Sequence, residues 1–129
     1  MTVALVCTAL LGLLVFGLGL GVSAVRGSSG RTIGYASDPT DRLHKFVRAH
    51  GNATEYAPMM AILMLAVGAR QPAPWMLWIF GAATVCRYLH AAGMILCPSL
   101  DRPYLLRFVG ALGTYLAGLA LVAALALRV

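Results

Sequence analysis

Charge is what this chain has least of. Only 11% of its 129 residues are Asp, Glu, Lys or Arg, against ~25% in an ordinary globular domain. Four are acidic: Asp38, Asp41, Glu55 and Asp101. So little charge excludes a soluble enzyme or a disordered tail. Cysteine is scarce too, with Cys7, Cys86 and Cys97 and no C-x-x-C pair, which supports neither a disulfide framework nor a zinc site. Each cysteine falls in or at the end of an apolar run and reads as a small buried hydrophobe. There is no Ser-His-Asp or metal-ligand pattern, no internal repeat and no low-complexity tract beyond the apolar bias. What is present is hydrophobic: 60% of residues, with 14 glycines besides and a mean hydropathy of +0.84. The net charge of +6 does not make this a nucleic-acid binder. The composition is that of one all-α, integral membrane domain.

A helix that crosses the ~30 Å hydrocarbon core needs roughly 20 residues. Residues 3–25, 74–97 and 104–127 meet that length with few charges. The first run reads as a membrane helix rather than a signal peptide, because no basic residue precedes it and it is too long. The middle segment differs. From Ala57 to Gly68 the apolar stretch would reach only about 18 Å, whereas from Arg48 to Gly68 it reaches about 31 Å. The second helix, expected over 41–68, must therefore carry a polar half, with Pro58 inside it. Four helices are predicted, with the stretch Ser37-Asp38-Pro39-Thr40-Asp41 as the start signal of the second and with short connections between them.

Basic residues set the orientation. Arg26, Arg31, Arg42, Lys45 and Arg48 cluster at the first connection, and Arg102 and Arg107 at the third, against Arg70 and Arg128 on the other side. The two basic connections are expected in the cytoplasm and both termini outside it. Alanine and glycine richness points to a bacterial inner membrane. On that topology the sequon Asn52-Ala53-Thr54 is not a glycosylation site.

Ionisable residues within a span cost ~2.5–3.5 kcal/mol each and mark functional sites by default. At about 100° per residue, Arg48, Asn52 and Glu55 share one face of the second helix, and His50 lies on the other. Arg87, His90 and Met94 form a stripe on the third helix; Tyr104, Arg107, Ala111 and Thr114 form one on the fourth. Three polar stripes at similar depth imply a charged cavity between helices. Glu55 could neutralise Arg87, with Asn52 as an interhelical hydrogen bond; three arginines facing one glutamate instead favour an external anion. Gly17 and Gly21 form a G-x-x-x-G on the first helix, with Gly12 and Gly19 nearby, suited to packing within the subunit or to an oligomer contact. Trp75 and Trp78 read as an interfacial belt, and Met59, Met60 and Met64 as core.

The run from Arg48 to Pro58, with Arg48, Ala49, Asn52, Glu55, Tyr56 and Pro58 in register, resembles the helix-two signature of the MAPEG family, the membrane-associated proteins of eicosanoid and glutathione metabolism. Length, four helices, the basic first connection and Arg87 extend the resemblance over essentially the whole chain. It is most similar to the short bacterial members, near microsomal glutathione transferase and leukotriene-C synthase. The resemblance implies a homotrimer of four-helix bundles in contact with membrane lipids. It implies glutathione as co-substrate between subunits, no metal, and transfer of the thiolate to a lipophilic small-molecule electrophile, with peroxidase activity as a variant. By the same resemblance Arg48, Asn52, Glu55 and Tyr56 grip the tripeptide from helix two, and His50 reaches it across the subunit boundary. Arg87 and His90 contribute from helix three, and Arg26 or Arg31 from the end of helix one. Arg107, with Arg102 as the alternative, forms the thiolate, because a cation in a low-dielectric site favours the anion of a thiol whose free pKa is ~8.5. Gly51 and Met94 depart from the eicosanoid enzymes, and the family also includes a member that binds lipid without catalysis. A non-catalytic lipid- or glutathione-binding scaffold is therefore the second expectation. A four-span drug exporter is a poor fit, since such transporters use a glutamate in helix one.

Overall fold

The computed structural model describes residues 1–127. It contains four helices and, among the described residues, no strand: α1 Thr2–Ser29, α2 Arg42–Gly68, α3 Pro74–Leu96 and α4 Leu105–Ala126. The predicted bounds agree to within a residue or two, except that α1 runs on past Val25 to Ser29.

Local chemistry explains the ends. Gly30 takes a left-handed conformation (φ 66°) that closes α1, one that a Cβ would strain. Asp41 caps α2 by accepting the His44 N–H at 2.8 Å, and Pro74 opens α3 at a position where its missing N–H costs nothing. Pro58 lies inside α2 without ending it.

Three of the helices, α1, α3 and α4, are long and apolar enough to cross a membrane. The fourth, α2, has 27 residues and a reach of about 40 Å, but its first half is too polar to qualify on composition. That is the asymmetry expected from the short apolar stretch after Ala57. α2 and α3 sit centrally: α1 packs along α2, α4 along α3, and α1 and α4 make no close backbone approach.

The two ends of the bundle differ. At one, Ala4, Cys7 and Leu11 meet Met60, Met64, Val67, Phe80 and Leu121 in a wholly apolar core. At the other, a smaller apolar cluster of Leu14, Leu18, Ala49, Ala53, Ala91 and Met94 underlies the polar residues. In a bilayer, helices associate through close packing rather than through exclusion of water; Ala49, Ala53 and Ala57, all buried, repeat every fourth residue along α2 and allow that approach. The methionine expectation needs correcting. Met60 and Met64 are buried, but Met59 is 58% exposed, because it lies about 100° around the helix from the face that Met60 shares with Met64. The cysteines are free, and Trp75 and Trp78 are exposed at the start of α3.

Candidate functional site

A groove of about 880 Å³ opens between α2 and α4, with α3 behind it. Four residues of α2 set its depth at successive turns: His44, Arg48, Asn52 and, just below the groove, Tyr56. Across from them stand Tyr104, which precedes α4, and Arg107, Phe108 and Ala111 of α4, and His90 and Met94 of α3 supply the back.

The connections fix the mouth. The Lys45 ammonium donates to the carbonyls of Cys97 (2.8 Å) and Pro98 (3.1 Å), tying α2 to the end of α3. The Leu100 N–H donates to the Pro39 carbonyl at 3.0 Å. His44 bonds through Nδ1 to the Asp38 carbonyl (2.9 Å) and stacks on Tyr35 at 4.7 Å. In the first connection, the Thr40 backbone N–H and then its hydroxyl hold the Asp38 carboxyl below its ordinary pKa. The Asp41 carboxyl is lowered too, first by the His44 N–H and further by Arg31.

The α3–α4 seam sets the geometry of the back wall. A Cβ at Gly93 would lie 2.8 Å from the Arg107 Cα, and one at Gly110 would lie 2.7 Å from the His90 Cα. Two backbones thus touch where the site residues sit. That contact puts His90 Nδ1 2.9 Å from the Arg107 carbonyl. A carbonyl only accepts, so Nδ1 carries a proton and donates it there, which leaves Nε2 as the ring nitrogen open to other partners. Sequence reasoning missed this seam, having attended to the glycines of α1.

Arg87 is 1% exposed and does not line the groove. Its guanidinium donates to Asn52 Oδ1 at 2.7 Å and to the Asn52 carbonyl at 3.3 Å, reaches the Thr114 hydroxyl at 3.5 Å, and lies 5.1 Å from the centre of the Tyr56 ring. Its Nε has no hydrogen-bond partner among the described residues. The alternative in which Glu55 neutralises it is not what the structure shows: the one ion pair among the described residues is Arg31–Asp41 (3.1 Å), and Glu55 is exposed without a hydrogen bond. By using Asn52 Oδ1, Arg87 leaves the Asn52 amide nitrogen, a donor, for the groove that Asn52 lines.

Of the expected site residues, the structure brings Arg48, Asn52, His90 and Arg107 to one groove, with Arg87 and Tyr56 immediately beneath. The Arg48 guanidinium is exposed and forms no hydrogen bond or ion pair with a described residue. Arg107 is engaged, donating to the carbonyls of Leu100 and Arg102, each at 2.9 Å. Arg102 is exposed and offers the groove no side chain. Four residues lie apart within the subunit. Arg26 donates to the Gly34 carbonyl, Arg31 pairs with Asp41, Glu55 is on the outer flank of α2, and His50 packs against α1 at Gly19. No group of three metal-ligating side chains occurs among the described residues.

The sequence profile of the MAPEG family matches residues 4–127, nearly the whole chain. The chain belongs to the MAPEG family. It is thereby an integral membrane protein with a four-helix fold, related to the glutathione- and eicosanoid-linked membrane proteins. No curated protein and no solved structure matches it significantly.

Proposed function

We propose that this MAPEG protein is a membrane glutathione transferase that binds glutathione as its co-substrate and presents the thiolate to a lipophilic electrophile dissolved in the bilayer. The observation that carries the reading is the excess of cations along the groove: Arg48 has no partner among the described residues, Arg107 stands opposite, and Asp101, the carboxylate that also lines the groove, forms an ion pair with neither. A tripeptide with two carboxylates supplies what those cations lack, since charge-assisted hydrogen bonds to arginine are the strong ones. The His90 Nε2 and the Asn52 amide nitrogen add two further polar groups. In this reading the protein is a homotrimer in a bacterial inner membrane, with its basic connections in the cytoplasm. Glu55, His50 and Arg26 or Arg31, which lie outside the groove of one subunit, face a neighbouring one.

The test is equilibrium binding of glutathione to protein in detergent, followed by the ultraviolet absorbance of the thiolate. Arg48→Ala is expected to weaken binding about tenfold or more, the loss of a hydrogen bond to a charged group, without lowering the melting temperature, because Arg48 holds nothing within the subunit. Arg107→Lys is expected to reduce the thiolate signal more than the binding. Absence of binding in the unaltered protein sinks glutathione as the ligand.

One observation favours a second reading. Both terminal nitrogens of Arg107 already hold the α3–α4 connection, as befits a scaffold that binds lipid or glutathione without activating it. Binding with no thiolate absorbance selects that reading.

A further inference from the structure

Below the groove, two tyrosines meet across α2 and α4. The Tyr56 and Tyr115 hydroxyls are 3.3 Å apart, and their rings are tilted at 5.8 Å. Asn52 and Ala111, one turn nearer the mouth on each helix, line the groove itself, so the pair marks its inner end. Tyrosine in membrane helices is concentrated at the interfaces, where the hydroxyl finds water. These two are not there. Tyr115 lies about 15 Å along α4 from its start, and Tyr56 about 21 Å along α2, half of its length. Tyr115 is also 51% exposed, on a face otherwise made of Leu112, Leu116 and Leu119.

Two phenols bring two protons. The bond between them uses one, and at 3.3 Å it is longer than the ~2.7–2.8 Å usual for O–H···O. The second proton has no acceptor among the described residues: neither phenol makes another hydrogen bond, and the nearest carboxylate in sequence, Glu55, makes none. In hydrocarbon, an unpaired donor costs several kcal/mol. The Arg87 cation beneath the Tyr56 ring adds a field that favours an electron-rich oxygen at the same place.

We propose that the Tyr56–Tyr115 hydroxyl pair is a subsite for the acceptor oxygen of a bilayer-dissolved ligand, one whose apolar body lies against the leucines of α4 and whose carbonyl or quinone oxygen takes the free phenol proton. The proposal names the class of the second substrate and rests on the transferase reading for the reaction, though not for the binding. The ligand enters sideways from the lipid, because the hydroxyls lie on the outer flank of the α2–α4 pair.

The experiment uses the full chain in nanodiscs without any thiol. Duroquinone, a lipophilic quinone with no open ring position for thiol addition, is the probe, and durene is its oxygen-free counterpart. Saturable duroquinone binding above that of empty discs is expected, weakened about five- to tenfold in Tyr115→Phe, the range of one neutral hydrogen bond. Durene uptake should be the same for both proteins. Equal duroquinone affinity in the two proteins, or no saturable binding at all, overturns the proposal. A change of oligomeric mass in Tyr115→Phe also overturns it, since a second copy of the chain then covers the phenols. Glutathione binding measured on the same preparations shows separately whether the transferase reading fails.

Discussion

Two seams hold this bundle, and both rely on glycine in different ways. Along α1–α2, the missing side chains make room for other side chains. A Cβ at Gly21 would meet the Phe46 ring at 2.6 Å, and one at Gly19 would meet the His50 ring at 3.4 Å. Along α3–α4, glycine makes room for backbone: Gly93 lies against Arg107, and Gly110 against His90 and the Cys86 carbonyl. A ring can turn aside; a helix backbone cannot without moving the whole helix. The adaptable seam carries no groove residue except through α2, whereas the rigid one carries His90 and Arg107. The site is built where the packing has least freedom.

The largest effect should come from filling the rigid seam. Gly110→Ala and Gly93→Ala are each expected to cost about 1–3 kcal/mol or more, the range for forcing atoms into a packed interior. Thermal unfolding in detergent checks this, and the His90 Nδ1 proton should lose its slow exchange by NMR as the bond to the Arg107 carbonyl opens. Next is Arg87→Met, which leaves Asn52 Oδ1 and Thr114 without their donor. A loss of about 1.5–3 kcal/mol is expected for a hydrogen-bonded charge, with weaker ligand binding because the Asn52 amide is free to turn. On the adaptable seam, Gly21→Ala should cost under about 1 kcal/mol, since the strain of one added methyl is partly offset by the better helix propensity of alanine. Gly17→Ala, which meets nothing within 4 Å, should leave the subunit as stable or slightly more so; a loss confined to the oligomer, read by native mass, would place Gly17 in a subunit contact. The smallest effect concerns acid. Because Asp38 and Asp41 have lowered pKa values, they help to order the first connection at all pH values above that of a free carboxyl, ~3.9. Their contribution is lost as pH falls through the folded values below that point. The protection of residues 36–44 against hydrogen exchange, taken relative to the intrinsic rate at each pH, should therefore be unchanged from neutral pH down to about 4 and should fall only below it.

How far these features could be read in advance varied with what each depends on. The four helices were legible because span length and caps are local: Asp41, Pro74 and the apolar runs fix their ends with little help from neighbours. The polar half of α2 followed from length alone, and so did the grouping of Arg48 with Asn52, four residues apart on one face. What the α2 wheel could not show was which helix faces which. It placed Glu55 on the face of Arg48 and suggested a pairing with Arg87, yet Arg87 bonds to Asn52 and Thr114 instead. The α3–α4 seam was invisible for a related reason. Gly93 and Gly110 lie on different helices, and no one-dimensional motif joins residues that meet only after the chain reverses. The glycines of α1, spaced as a recognised motif, drew attention that the structure assigns in part to ordinary packing against Phe46 and His50.

Arg107 bears on how occupancy of this groove would be felt elsewhere. Its guanidinium holds the carbonyls of Leu100 and Arg102, and it also faces the groove. An anion that recruits it competes with the connection between α3 and α4 for the same donors. Filling the groove then loosens residues 97–104, a stretch at the membrane surface, and ordering that stretch weakens the hold on the anion by an equal amount. A protein of this design would announce its load on the outside, where a soluble partner or a spectroscopic label attached at Ser99 can sense it.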